Sequence, residues 1–315
     1  MSGAAHTPLV SIVVPTYQHA PYIRTCLDSL LAQRTPFPVE ILIGEDASTD
    51  GTREICQEYA AQHPDLIRLF LNDRKDVIYL NGTPSGRWNV LNLYSHCRGK
   101  YIAVCEGDDF WTDPEKLAIQ VALLEERPEV SACFHATALA APDGSFTGKD
   151  FRPHVPAQMG MEEVVNGWSP FHLTSIVFRN GPFFRERSAW KREVGSYDLL
   201  IFAVAADRGP LVGLPRNMSA YRKLEGGMSN TSAQRGASFE YLRMLVWLYC
   251  DRYFKGKWGH LMWPLLDEHY GKLVRMIPRR ERLRYFRRLV GHIPFNVVRQ
   301  PRRYVRWALA AWRGR

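Results

Sequence analysis

The chain has 315 residues, 46% hydrophobic and 23% charged, which is the composition of a globular protein with a full core and excludes general disorder. It has no run of 18 apolar residues, so no bilayer-spanning helix is expected, and its six cysteines form no CxxC pair and no metal-ligand spacing. The net charge of +9 is uneven: thirteen arginines and one acid lie between Arg275 and Arg315, a local +12, so the remaining 274 residues carry −3.

Cys26, Cys56, Cys97, Cys105, Cys133 and Cys250 read as reduced, mostly buried thiols of a cytosolic protein. The start, Met1 to Pro8, has neither the basic nor the apolar segment of a signal peptide. Residues 9–15 are a β-branched run ending at Pro15, the pattern of a central parallel strand. Ile23, Cys26, Leu27, Leu30 and Leu31 recur at helical spacing. A second strand over 39–44 runs into Glu45 and Asp46. A turn over 47–52 and a helix carrying Ile55, Cys56, Tyr59 and Ala60 follow. A third strand is expected over 66–71, a helix over 88–98, a strand over 101–105, a helix over 114–126 and a strand over 130–136. This alternation implies βαβ units and a mostly parallel sheet flanked by helices.

The strand at 101–105 leads straight into Glu106, Gly107, Asp108 and Asp109. Carboxylates at the end of a buried strand need a cation, and hard oxygen ligands such as Asp108 and Asp109, the expected metal pair, favour Mg²⁺ or Mn²⁺. The alternative is a solvated turn capping the next helix through Asp113 and Pro114. Right-handed crossovers bring these acids and Glu45-Asp46 to one sheet edge, where open α/β sheets hold ligands. Neither G-x-G-x-x-G nor G-x-x-x-x-G-K-[ST] follows the first strand, so dinucleotide and P-loop sites are excluded.

Ser11-Ile12-Val13-Val14-Pro15-Thr16-Tyr17, then Glu45-Asp46-Ala47-Ser48-Thr49-Asp50-Gly51-Thr52, then Gly99-Lys100-Tyr101-Ile102 leading to Glu106-Gly107-Asp108-Asp109 resemble the family-2 glycosyltransferases of the GT-A fold, over about the first 230 residues. The resemblance implies that Pro15, Thr16 and Tyr17 line the nucleoside pocket largely through backbone, and that Asp46 accepts from the base. Glu45 stands where the family has Asp. Asp108 and Asp109 match the DxD-type pair, one near the ribose and one on the metal; Glu106 stands at the first Asp of many members. Arg87 reads either as a phosphate or base contact or as a surface arginine.

Residues 142–170, rich in Pro, Gly and charge, read as a long connection beside the acceptor site. Residues 171–179 return as a strand. His172, at its start, reads either as a contact to acceptor or phosphate or as ordinary hydrogen-bonded structure. Leu199, Phe202, Ala203 and Ala206 mark one apolar helix face, with Asp198 in its first turn. By resemblance Asp198 is the general base; Glu193 and Asp207 are the alternatives. Short strands are expected over 211–214 and 218–221. The stretch from Tyr221 to Ser229 resembles a family loop in which Leu224 replaces a histidine, with Arg222 or Lys223 as substitutes.

From 232 onward the pattern is helical. Residues 279–315 interleave arginine with Tyr, Phe and Trp, as a basic amphipathic helix on an anionic membrane surface does. The alternative is a helix packed on the body with a solvated basic face; the body's −3 disfavours nucleic acid. The expectation is therefore an α/β GT-A domain over 1–230, with a nucleotide-binding half at 8–136 and an acceptor half at 137–230, and a helical, basic extension over 231–315. Its expected work is metal-dependent, inverting transfer from a nucleotide-diphosphate sugar, UDP-type favoured, to a glycan or lipid-linked hydroxyl. The expected place is the cytoplasm, peripherally on the inner face of the cell membrane. A polymer-extruding synthase is disfavoured by the lack of membrane helices. A non-catalytic binding member and a nucleotidyltransferase are the other classes.

Overall fold

The structure is a computed structural model that describes residues 7–167, 170–224, 236–292 and 294–313. The first half alternates as expected: Val10–Thr16 (β1), Ile23–Leu31 (α1), Val39–Glu45 (β2), Thr52–Gln62 (α2), Ile67–Leu71 (β3), the hairpin Ile78–Leu80 (β4) and Thr83–Ser85 (β5), Arg87–His96 (α3), Tyr101–Val104 (β6), Phe110–Trp111 (β7), Lys116–Glu126 (α4) and Ala132–Ala140 (β8). β3, β2, β1 and β6 lie side by side and parallel. Pairing of Thr16 with Glu45 and of Val13 with Val104 sets the carboxyl ends of β1, β2 and β6 along one edge.

Alternation along the strands feeds two cores. Val10, Ile12 and Val14 pack with Ile41 and Ile43 against Cys26, Leu27 and Leu30 of α1 and Leu117 and Val121 of α4. Val13, Leu42, Ile102 and Val104 face Leu93 and Tyr94 of α3 on the other side.

Residues 142–170, expected as a bare connection, carry Phe146–Asp150 (β9), Gln158–Met159 (β10) and Met161–Asn166 (α5), because β9 finds an open ladder on β8 and β10 one on β12. The expected strand over 171–179 is a 3₁₀ turn, Leu173–Ser175, followed by Val177–Arg179 (β11), which runs antiparallel between β6 and β8. Pro182–Arg185 (α6) leads toward Tyr197–Arg208 (α7). Every α7 residue from Leu199 to Ala206 is buried, not one face alone, since α7 lies inside a shared core with flanking elements on both sides. The two short strands expected at 211–221 are one, Leu211–Arg222 (β12), which pairs parallel with β8 and absorbs irregularities near Asn217. Asp113 precedes its helix as read; Oδ1 accepts from Glu115 N (2.9 Å), although α4 itself begins at Lys116.

Ala237–Tyr253 (α8), Gly259–Met276 (α9), Arg279–His292 (α10), Pro294–Arg299 (α11) and Pro301–Arg313 (α12) complete the described chain. One hydrophobic cluster runs from β1 and β2 through α7 into Met244, Trp247, Met262 and Trp307 of these helices. All six cysteines are free and buried, as the composition implied.

Candidate active site

The edge formed by the ends of β1, β2 and β6 is built first by backbone. Gly107 N donates to Pro15 O (3.0 Å) and Asp46 N to Thr16 O (3.1 Å), so the acid turn and the second strand's end are tied to the first strand. A Cβ on Gly107 would lie 2.5 Å from Thr16 Oγ1, so only glycine lets the acid turn close on β1. The turn after β2 is laced to the loop after β1: Gln18 N donates to Ser48 Oγ (2.9 Å), His19 N to Thr52 Oγ1 (2.8 Å) and Ala20 N to Asp50 Oδ2 (3.0 Å). This lacing is the physical content of the Ala47-to-Thr52 motif.

Three acids of the turn after β6, Glu106, Asp108 and Asp109, share this edge. Asp109 is fully buried; its Oδ1 accepts from Arg222 N (3.0 Å), and its Oδ2 has no hydrogen-bond partner among the described residues. Glu106, Asp109 and His172 each offer a ligand atom, and these lie within 4.8 Å of one another. Burial, then Asp108 and Asp198, push the Glu106 carboxyl up to about 8. Burial, then Asp108 and Glu106, push Asp109 well above the carboxylate range. Asp108, expected beside Asp109 on the ion, is partly exposed, with Oδ2 3.9 Å from His19 Nε2. Arg222 Nη1 donates to Asp108 O (2.5 Å), and its guanidinium lies over Tyr22 (4.8 Å) and Phe110 (5.1 Å). It is thus a clamp on the acid turn. Lys223 N donates to Ala140 O (2.9 Å), and residues 225–229 of that loop lie outside the described residues.

Beside the acids is a corner of a different character. Tyr17 is 42% exposed, and the Arg74 guanidinium lies over its ring at 4.8 Å. Arg74 Nη1 is also 3.9 Å from Asp46 Oδ2. Burial raises the Asp46 carboxyl, and Arg74 opposes it. An exposed ring, a carboxylate and a guanidinium at a strand-end edge suit a nucleobase and its ribose. The sequence reading names Tyr17 and Asp46 but not Arg74, which the fold brings to the same corner. Its signal was its place just after β3, the one strand end of the parallel set not read for charge.

Two expected donor contacts are corrected. Glu45 is fully buried: Oε1 accepts from Ser48 N (2.6 Å) and Oε2 from Arg53 Nε, so the turn and α2 occupy it. Arg87 is 6% exposed, and its Nη2 donates to Val194 O (2.7 Å) and Gly195 O (3.0 Å) beneath the Tyr197 ring (4.7 Å). Burial lowers it to about 10. It fixes the loop entering α7 and so positions Asp198.

Packing separates the candidate bases. Glu193 is bonded by Tyr249 Oη and His292 Nδ1 (2.7 Å), and Asp207 by Lys257 Nζ (2.9 Å) and Trp258 Nε1 (2.8 Å). Asp198 has no such side-chain partner among the described residues. It sits in the first turn of α7, partly exposed, raised by burial and opposed by the Leu199 N–H and by Arg87. Its charge is felt at Glu106, so it belongs to the same edge.

The family model described as glycosyl transferase family 2 matches residues 11–180. The uncharacterized protein Rv1520 of Mycobacterium tuberculosis is 35% identical over 219 residues, 70% of this chain and 60% of its own length. The putative teichuronic acid biosynthesis glycosyltransferase TuaG of Bacillus subtilis is 30% identical over 172 residues, 55% of this chain and 63% of its own. The chain thus spans about 60% of the length of these curated relatives. Among solved structures, S. aureus TarS residues 1–349 superposes with a TM-score of 0.55 at 14% identity, covering 96% of this chain and 89% of TarS. The mannosyltransferase PcManGT of Pyrobaculum calidifontis, in complex with GDP-Man and Mn²⁺, gives 0.52 at 17%, covering 97% and 87%. These two share the fold.

Proposed function

The chain belongs to glycosyl transferase family 2 and has its GT-A fold, and from that premise we propose that it is a metal-dependent inverting glycosyltransferase. The donor is a nucleotide-diphosphate sugar, UDP-type favoured, and the acceptor a hydroxyl of a glycan or lipid-linked glycan. The observation that carries this reading is the convergence of Glu106 and Asp109 at one sheet edge, near enough to Asp198 for its charge to act on Glu106, with no lysine or arginine ion pair to any of the three among the described residues. Such an arrangement is unfavourable until a cation and a substrate complete it.

Tyr17, Asp46 and Arg74 hold the nucleoside, and Asp108 faces its ribose. Residues 8–136 form the nucleotide half and 137–230 the acceptor half, with 231–315 as the helical extension. The buried, unpartnered Asp109 Oδ2 fits a divalent ion, Mg²⁺ or Mn²⁺, held with Glu106; when bound, the ion neutralises the departing diphosphate. Asp198 accepts the acceptor's hydroxyl proton on its carboxylate. The oxygen attacks the anomeric carbon opposite the diphosphate, the glycosidic C–O bond breaks, and its electron pair leaves with the phosphate. Burial raises Asp198 and makes it a better base; such a base contributes about 10²–10⁴-fold. The UDP-GlcNAc of TarS and the GDP-Man of PcManGT name the donors to test first.

The acceptor is placed at a membrane surface. No described helix is long and apolar enough to cross a membrane. α12 buries Tyr304, Trp307 and Ala311 but exposes Val305 (60%), Leu309 (42%) and Trp312 (61%) beside Arg302 and Arg306. That outer arc suits an anionic lipid surface on the inner face of the cell membrane.

Calorimetric titration with a panel of nucleoside diphosphates, with and without Mn²⁺, tests the donor site. Mn²⁺-dependent binding of one nucleotide, lost in Asp109→Asn, supports it. No binding by a folded protein overturns it and moves a non-catalytic role to first place.

A further inference from the structure

The acid turn is completed by a nitrogen. His172 enters it from the residue before the 3₁₀ turn Leu173–Ser175. Its ring is stacked on Tyr221 (centroids 4.2 Å apart, 24° between planes) and meets Phe151 edge-on (5.1 Å, 75°). Ser175 N and Oγ both donate to His172 O (3.0 and 2.7 Å), so backbone and ring are fixed together.

His172 Nδ1 lies 3.5 Å from Asp109 Oδ2. Thr174 N also donates to Nδ1, through a long 3.3 Å bond. Nδ1 therefore presents a lone pair, and the proton of the neutral imidazole sits on Nε2. Nδ1 and Oδ2 face each other across 3.5 Å, in a site where Asp109 is fully buried and its Oδ2 has no hydrogen-bond partner among the described residues. A cation between them would use both lone pairs. The Glu106, Asp109 and His172 ligand atoms lie within 4.8 Å of one another, close to the widest span of about 4.6 Å that two bonds of about 2.3 Å to one ion reach.

We propose that His172 is a nitrogen ligand of the divalent ion at this edge, and that it makes the site select a first-row transition ion such as Mn²⁺ over Mg²⁺. The inference deepens the donor-site reading and rests on it. An imidazole suits transition ions, whereas Mg²⁺ keeps to oxygen ligands and water. The ion takes over the Nδ1 lone pair from the long Thr174 bond, and the ring, held by Tyr221 and Phe151, needs no reorganisation.

The test uses the full chain and Mn²⁺ alone, without nucleotide. Pulsed electron paramagnetic resonance of the bound Mn²⁺ is expected to show the ¹⁴N modulation of a directly coordinated imidazole, and competition is expected to place Mn²⁺ at least about 10-fold ahead of Mg²⁺. His172→Gln should abolish the modulation and weaken Mn²⁺ by about 10–100-fold or more, while moving Mg²⁺ far less, so that the two ions draw level. Bound Mn²⁺ without ¹⁴N modulation, no Mn²⁺ binding in the millimolar range, or unchanged Mn²⁺ affinity in a folded His172→Gln each overturns the inference. The wild-type spectrum decides alone if the variant does not fold. Failure of the donor-site reading looks different: the nitrogen signal persists and no nucleotide binds.

Discussion

Two buried carboxylates sit at opposite edges of one parallel sheet. Glu40, at the start of β2, accepts from Ser11 Oγ (2.7 Å), Arg98 N (2.8 Å), Arg98 Nε (2.8 Å) and Arg68 Nη1 (2.9 Å). Asp109, beyond the end of β6, accepts from Arg222 N alone among the described residues. Burial raises both; Ser11, Arg98 and Arg68 more than reverse it for Glu40, whereas Asp108 and Glu106 add to it for Asp109. Burial therefore does not distinguish a structural acid from a functional one. The internal cations do: an acid with its own arginines is finished by the fold, and one without them waits for a ligand.

The largest expected effect would come from the open edge. Asp198→Asn should lower kcat by about 10²–10⁴-fold, about 3–5 kcal/mol of barrier, with nucleotide affinity unchanged. A rate within threefold of wild type, in a transfer assay with the donor found above, would place Asp198 with the structural acids.

At the closed edge, Glu40→Gln should cost about 2–3 kcal/mol in urea unfolding and leave transfer intact; a fully buried partner costs more, but both arginines are partly exposed. Glu40 is held below its ordinary value in the native state. Its contribution is complete above the ordinary carboxylate range and is lost as pH falls through the native value, so the gap between wild type and variant should narrow in acid. A gap that widens on acidification would reverse the assignment.

The comparison is sharpest where its sign changes. Asp109→Asn should stabilise the metal-free protein by about 1–2 kcal/mol, because it removes an uncompensated buried acid, and should erase the Mn²⁺-induced rise in Tm. Destabilisation equal to that of Glu40→Gln would mean that the two edges are alike. The smallest effect is expected at the nucleoside corner, where Arg74→Ala should weaken nucleotide binding by about 3–10-fold, on the order of 1 kcal/mol, by calorimetry.

The sequence by itself determined what depends on period and near neighbours. β-branched runs gave β1, β2 and β6, apolar spacing gave α1 and α2, and strand ends meeting acids marked the edge that carries Asp46, Asp108 and Asp109. Strands whose edges were left open by others were not legible in this way: β9, β10 and the unbroken β12 exist because a ladder was available, not because their own residues demand it. Side-chain direction was decided by tertiary structure alone. Arg87 reads as a free cation until Val194 and Gly195, more than 100 residues onward, accept its protons. Glu45 reads as a donor contact until Arg53 turns back on it, and His172 as an ordinary strand start until β6 and β12 bring Asp109 and Tyr221 to its ring. A residue type fixes what a group is able to bind; the partner that reaches it first is set by packing between elements far apart in the chain.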